Sequence, residues 1–428
     1  MDITLTPTKL NGTIIARPSQ NYSLLHATCQ ALALHQVKCL GADAGEANAA
    51  RAKDYTRFPG CWSENLETIL QCFSDLPEDA PVLYFSDNEI VLHLMMPILA
   101  ATKQKVSLTG SGEFPNSMLL PMTDVLKRRG VNFSRGSLKI RRRDRDRIHE
   151  ICTMTKRMDY GSFSLTGREN PWFIAGLLLA LPLLEGNSSV RMTTMPESSE
   201  LPEMAISVLR QYGVTVMRSV DDYGYPYYDI PGNQHFRIPE KVSLEGDWTR
   251  AAFWLGCGAL GGNVTVRGLS SDSRQVSRQI LDKLHSLGAG TGQGTDSANV
   301  VSGPLEGCNI NASRIAELVP ILSVIMANAR GTSMLTGIDC DDFASVFRVL
   351  DAFGADISDG GSGFSFTGRA ILTGGEIHSF GDPIIVMVAT AASCVCRMPV
   401  TIRDAGIINK YYPDFFEDYR ALGGRIER

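Results

Sequence analysis

Residues 380–388 read FGDPIIVMV, a glycine and an aspartate that turn the chain into an apolar segment. Such a segment predicts a helix whose unpaired N–H groups and macrodipole could hold an anion. Its opening turn carries no Lys, Arg, His, Ser or Thr. Instead Asp382–Pro383 is an N-cap followed by proline at the first helical position, and Asn170–Pro171 repeats the arrangement. Arg168, at the Asn170–Pro171 start, and Arg250 stand near helix N-termini, where a cation opposes the macrodipole. They read either as a rebuilt anion site or as solvent-facing charge. Trp172 and Trp248, also at helix starts, read as packing or as a ligand lining. The seven histidines have no HExxH-like spacing, so no metal site and no cofactor are expected. The ten cysteines include no CxxC, and Cys394 and Cys396 fall in a predicted helix, which suits free thiols. A GxGxGxG run at Gly288–Gly294 follows a helix rather than a strand, which favours a hairpin turn over a dinucleotide fingerprint. DGGSG at 359–363 reads the same way, and KIRRRDRDR at 139–147 reads as a solvated strand edge and loop.

The elements that position these residues come from a chain of 428 residues, 44% hydrophobic and 20% charged, which implies two or three domains. The 41 basic and 46 acidic residues give −5, which argues against a nucleic-acid partner. The apolar runs Trp172–Leu184 and Ile384–Cys396 are too short to cross a bilayer. The opening MDITLTPTKLNGT lacks a leader pattern, so no membrane and a cytoplasmic location are expected.

One helix-end phrase recurs: VLKRRGVNF, VLRQYGVTV, KLHSLGAGT, VLDAFGADI and DYRALGGRI. Its glycines, Gly130, Gly213, Gly288, Gly354 and Gly423, lie 83, 75, 66 and 69 residues apart. Each predicts a helix closed by a left-handed glycine and followed by a strand. Short β-branched strands recur in phase, as in SLTGSG, VTVRGLS and VTIRDAG, and apolar helices entered through polar turns lie between them. The pattern is six units of strand, buried helix, strand, amphipathic helix, glycine and strand pair. Helices apolar all round must be surrounded, so sheets are expected outside helical cores, three units per domain.

These phrases resemble one family. EGDWTRAAFWLGCGALGGNVTVRGL, VTIRDAGIINKYYPDFFEDYRALGG and LTGSGEFPNSMLLPMTDVLKRRGV are similar to conserved segments of the EPSP synthases. These are the 3-phosphoshikimate 1-carboxyvinyltransferases of the enolpyruvyl transferase superfamily. The resemblance covers essentially the whole chain. It implies an α/β fold of two domains, each of three βαβαββ units with buried helices and outer sheets. The domains would be residues 1–17 plus 239–428 and residues 18–238, with a small-molecule ligand in the cleft between them and a monomeric state. The family reaction moves the enolpyruvyl group of phosphoenolpyruvate onto shikimate 3-phosphate.

Carried over residue by residue, the resemblance puts Glu317, Asp339 and Lys410 at catalytic positions. It puts Ser19, Gln20, Asn21, His93, Asn170, Trp172, Asp247, Asp341 and Asp382 at substrate-binding positions. Where the family has lysine or arginine, this chain has Gln20, Leu25, His93, Leu120, Ser199, Ile338, Asp342 and Ile384, and Glu89 replaces a glycine. Lys410 is the one family lysine clearly kept. A hydrogen bond to a charged group contributes about 1.5–3 kcal/mol. Losing six or more, even with partial additivity, removes over about 6 kcal/mol, or more than ~10⁴ in affinity. Three outcomes stay open: a non-catalytic homologue, altered chemistry on a less anionic substrate, or a working synthase with displaced basic residues.

Overall fold

The computed structural model of the protein describes residues 1–40, 64–76, 79–85, 88–110, 116–142, 145–196, 200–242, 244–368 and 372–427. Within these, the side chains of residues 37–40, 116–120, 138–142, 145–150 and 410 are outside the description. The chain divides into two compact units, residues 18–244 and residues 1–17 with 245–428.

In the unit of residues 18–244, the buried helices are α1 (Gln20–Leu40), α2 (Glu89–Thr102) and α3 (Pro171–Ala180). Residues 91–101 of α2 and 173–180 of α3 are buried without a break, so these helices lie inside the core. Helix Glu200–Gln211 instead buries one face, Leu201, Met204, Ala205, Val208 and Leu209, against α1 and α3. In the other unit the buried helices are α4 (Trp248–Ala259), α5 (Val319–Asn328) and α6 (Pro383–Ser393), with α5 packed against both α4 and α6. The amphipathic helix Ala344–Ala352 lies against α6.

Among the described residues, five four-stranded sheets share one order. In the sheet of Ser162–Leu165, Ser188–Met192, Pro226–Ile230 and Met217–Val220, the first pair is parallel and the next two antiparallel. The sheets built on Lys105–Thr109 and on Thr332–Thr336 repeat that order and those senses. In the remaining two sheets the N-terminal segment completes the pattern. Asn11–Ile15 lies parallel to Asn263–Arg267 as a first strand. Ile3–Thr6 lies between Val400–Arg403 and Arg425–Glu427 as the third strand of its sheet. Residues 1–17 therefore belong with the C-terminal half of the chain.

The five recurring glycines are all left-handed, with φ from +76° at Gly213 to +100° at Gly288, as a C′ position requires. The glycine run after 288 enters a hairpin, strands Gly290–Gln293 and Ser297–Val301, and DGGSG joins Ile357–Asp359 to Gly363–Thr367. Residues 139–142 and 145–147 fall in the paired strands Asn132–Arg142 and Arg145–Thr155, while residues 143 and 144 lie outside the described residues. One expectation is corrected. Helix α6 ends at Ser393, so Cys394 is its C-cap and Cys396 lies in the following turn. Both stay buried as free thiols.

Candidate functional site

Helix α4 begins under Asp247, whose carboxylate accepts the Arg250 N–H at 2.9 Å. Arg250 then folds back over its own helix start. Its Nε lies 3.7 Å from Asp247 Oδ2, its guanidinium donates to the Tyr411 carbonyl at 2.7 Å, and it covers the Tyr412 ring at 4.8 Å. A cation at this end opposes the macrodipole, and Asp247 offsets it. Arg250 is thus neither a solvent-facing charge nor free for a ligand. Burial raises the Asp247 carboxyl above the usual range, and Arg250 and two backbone N–H groups pull against that. Trp248 is fully buried, donating its backbone N–H to Gln275 Oε1 at 3.0 Å and its ring N–H to the Ser270 carbonyl at 3.2 Å. It is core, not lining.

Glu317 is exposed on the turn Ala316–Leu318 that leads into α5 and packs against α4. The Tyr411 hydroxyl is raised chiefly by burial, then by the charges of Asp247 and Glu317, with Arg250 opposing. The fold therefore brings Asp247, Glu317 and the segment after Ile408 together. The backbone of Lys410 lies in the short helix Ile408–Tyr411, while its side chain lies outside the described residues. Leu120 is likewise undescribed beyond its backbone, and Ser199 is outside the described residues altogether.

Asp382 caps α6. Its Oδ1 accepts the Ile384 N–H at 2.8 Å, and its Oδ2 accepts the Ser345 hydroxyl. Both oxygens are engaged before any ligand arrives. Asp339 is exposed and accepts the Asp341 N–H at 3.0 Å, closing a turn of its own, and Asp341 and Asp342 are exposed on the next turn. Ile338 points into the core.

In residues 18–244 the capping side chains of α2 and α3 are neutral. Ser19 is buried, and its carbonyl accepts the Ser23 N–H at 3.0 Å and hydroxyl at 2.7 Å. Gln20 is half-buried, Asn21 exposed and Leu25 fully buried. Asn88 caps α2 through the Val91 N–H at 3.1 Å, and Asn170 caps α3 through the Trp172 N–H at 2.9 Å. The Trp172 side of α3 is half-buried. His93 is buried one turn into α2, its Nδ1 2.8 Å from the Glu89 carbonyl. A carbonyl only accepts, so Nδ1 carries the proton and Nε2 the lone pair. Burial lowers the His93 pKa, against the Glu89 carbonyl and the charges of Glu89 and Glu169. Helices α2 and α3 meet at Gly176, where a Cβ would stand 2.4 Å from the Leu94 carbonyl. Glu169, just ahead of α3, is near enough for its charge to act on His93.

Three residues escaped the sequence reading: Tyr411, Ser345 and Gln275. Each acts across 27 to 161 positions, as partner of Arg250, Asp382 and Trp248 respectively. The one signal was Arg250 itself, since a cation in the first turn of a helix demands a nearby anion. Among the described residues no group of three or more His, Cys, Asp or Glu could hold a metal, and no helix is long and apolar enough to cross a membrane.

A family model, EPSP synthase (3-phosphoshikimate 1-carboxyvinyltransferase), matches residues 74–419. A 3-phosphoshikimate 1-carboxyvinyltransferase of Clostridium kluyveri is 27% identical over 432 residues, 99% of this chain and 98% of that protein. One of Clostridium novyi is 29% identical over 348 residues, 80% of this chain and 77% of that protein. Among solved structures, an EPSP synthase from Acinetobacter baumannii superposes with a TM-score of 0.74 at 18% identity, covering 100% of both chains. The enolpyruvyl transferase NikO from Streptomyces tendae gives 0.67 at 15% identity, covering 100% of this chain and 98% of that one. The two-domain α/β fold, three repeated units to a domain, is the fold these structures share.

Proposed function

The chain belongs to the EPSP synthase family, and we propose that enolpyruvyl transfer from phosphoenolpyruvate to shikimate 3-phosphate is lost or altered in it. The start of α6 carries this reading. A helix end that could cradle an anion is closed internally, with Pro383 lacking an N–H, Ile384 donating to Asp382, and Asp382 bound again by Ser345. A ligand anion there would meet a carboxylate rather than a donor. Leu25 and Ile338, at family cation positions, are buried in the apolar core, and Asp342 reverses the charge. Electrostatic stabilisation of a departing phosphate is usually the largest catalytic term, and these replacements remove its donors.

The test is calorimetry with shikimate 3-phosphate and phosphoenolpyruvate, singly and together, followed by a phosphate-release assay. The expected result is no binding heat and no phosphate. Saturable binding of both substrates with release of phosphate would overturn the proposal and leave a working synthase.

A second reading, altered chemistry on a less anionic substrate, is favoured by His93. Its lone pair on Nε2, beside Glu169, is a group able to take up a proton. Under that reading His93→Gln abolishes turnover of such a substrate without altering the fold.

A further inference from the structure

The turn between strand Gly375–His378 and α6 holds a feature that substrate loss does not explain. Phe380 has φ +52°, a left-handed conformation in which an aromatic residue is a genuine outlier. Its ring is 66% exposed, so no core packing repays the strain. The backbone is nonetheless fixed on both sides. Ser379 donates its N–H to the Arg403 carbonyl at 3.0 Å and its hydroxyl to the Asp404 carbonyl at 2.9 Å. Asp382 donates its N–H to the Ser379 carbonyl at 2.9 Å. Strain held this firmly around an outward-facing ring is the pattern of a functional position.

Two further groups converge on that ring from other elements. Arg348, on helix Ala344–Ala352, places its guanidinium carbon 5.2 Å from the Phe380 centroid. Arg348 is exposed and forms no ion pair with a described residue. The His378 ring lies 4.8 Å from Phe380, and its Nδ1 accepts the Phe380 N–H at 2.8 Å. Nδ1 therefore holds the lone pair, and the proton sits on Nε2, available as a donor.

We propose that Phe380, Arg348 and His378 form a binding site for a small planar monocarboxylate. The ligand's ring lies against Phe380, and its carboxylate meets the fork of guanidinium N–H groups, whose geometry matches two oxygens, and the His378 Nε2–H. A single negative charge is specified by Asp382, two residues from Phe380, which disfavours a dianion such as a phosphate monoester. The site goes beyond the proposed loss of transfer chemistry and stands or falls separately from it.

The test uses the full chain and benzoate as probe, followed by saturation-transfer NMR on the ligand, with benzyl alcohol and inorganic phosphate as controls. Benzoate is expected to bind saturably at millimolar concentration and the two controls not to bind. Arg348→Gln and Phe380→Ala should each weaken benzoate binding about tenfold or more. Phe380→Asn supplies the folded control. Asparagine tolerates the left-handed region, so the melting temperature should rise while binding is lost. No saturable benzoate signal, equal binding by inorganic phosphate, or binding unmoved by the Arg348 and Phe380 substitutions would overturn the site. So would a fall in melting temperature for Phe380→Asn, which would make the ring a packing element.

Discussion

The two units start their buried helices with opposite chemistry. In residues 245–428, α4 and α6 are capped by carboxylates, and each carboxylate has a second partner, Arg250 for Asp247 and Ser345 for Asp382. In residues 18–244, α2 and α3 are capped by asparagines, and two imidazoles, His26 and His93, are buried. A charged cap gains more from the macrodipole but must be desolvated and paired. A neutral cap gains less and carries no charge to be paired, although Asn88 also donates to Asn65 Oδ1. One family architecture can thus begin the same helix in two ways, and the two ways respond differently to mutation and to acid.

The sharpest way to break the comparison is to remove a second partner. Arg250→Met should cost about 3–5 kcal/mol, because it leaves Asp247 buried with its charge unpaired. Chemical denaturation of the variant checks this. A cost below about 1 kcal/mol would mean that the Asp247–Arg250 pair is no different from a surface pair.

Acid should separate the units next. His26 is buried between Tyr22 and Tyr212, and its pKa is lowered by burial from 6.5 to about 4. The unfolded chain takes up that proton more readily than the folded one. The stabilisation is therefore full above pH 6.5 and is lost as pH falls towards about 4, a loss of about 3 kcal/mol. His93 is shifted in the same direction. Burial shifts Asp247 and Asp418 the opposite way, so their folded forms hold protons more tightly, while Asp2, Asp359 and Glu376, lowered by their partners, oppose them only in the carboxylate range. Hydrogen exchange resolved by residue should show residues 18–244 opening first as pH drops from 6.5, and His26→Phe should flatten the response.

Caps give the smaller effects. Asp382→Ala should cost about 0.5–2 kcal/mol and Asn170→Ala about 1 kcal/mol or less, since only the aspartate loses a second bond. Smallest is Asp382→Asn, which keeps the cap and loses its charge, at about 0.3–1 kcal/mol. Melting curves at low and high salt would check these, because only the charge contribution is screened.

Much of the fold was legible because its signals are local. A left-handed glycine closing a helix, an Asn-Pro or Asp-Pro opening one, and an unbroken apolar run between them each depend on a few adjacent residues. Gly213, Asn170 and α3 were readable for that reason. The family phrases then supplied the arrangement of units. The site was less legible because its geometry is made across long separations. Nothing near Asp382 in the sequence announces Ser345, and nothing near Arg250 announces the Tyr411 carbonyl. Phe380 was invisible for another reason: its φ is imposed by hydrogen bonds to Arg403 and Asp404, which lie beyond α6.

The interleaving of strand Ile3–Thr6 between Val400–Arg403 and Arg425–Glu427 has a consequence for how the molecule is made. A ribosome delivers that first strand some four hundred residues before its two neighbours exist. Residues 18–244 hold all the described strands of their own sheets and can fold as they emerge, whereas strand Ile3–Thr6 must wait unpaired for residues 400–427. Until those residues are made, an exposed strand edge is a hazard for mispairing. The charged flank Lys9 and the residues Thr4 and Thr6 keep that waiting segment polar on one side. Closure of that sheet is therefore a late event, the capture of Ile3–Thr6 by residues 400–427.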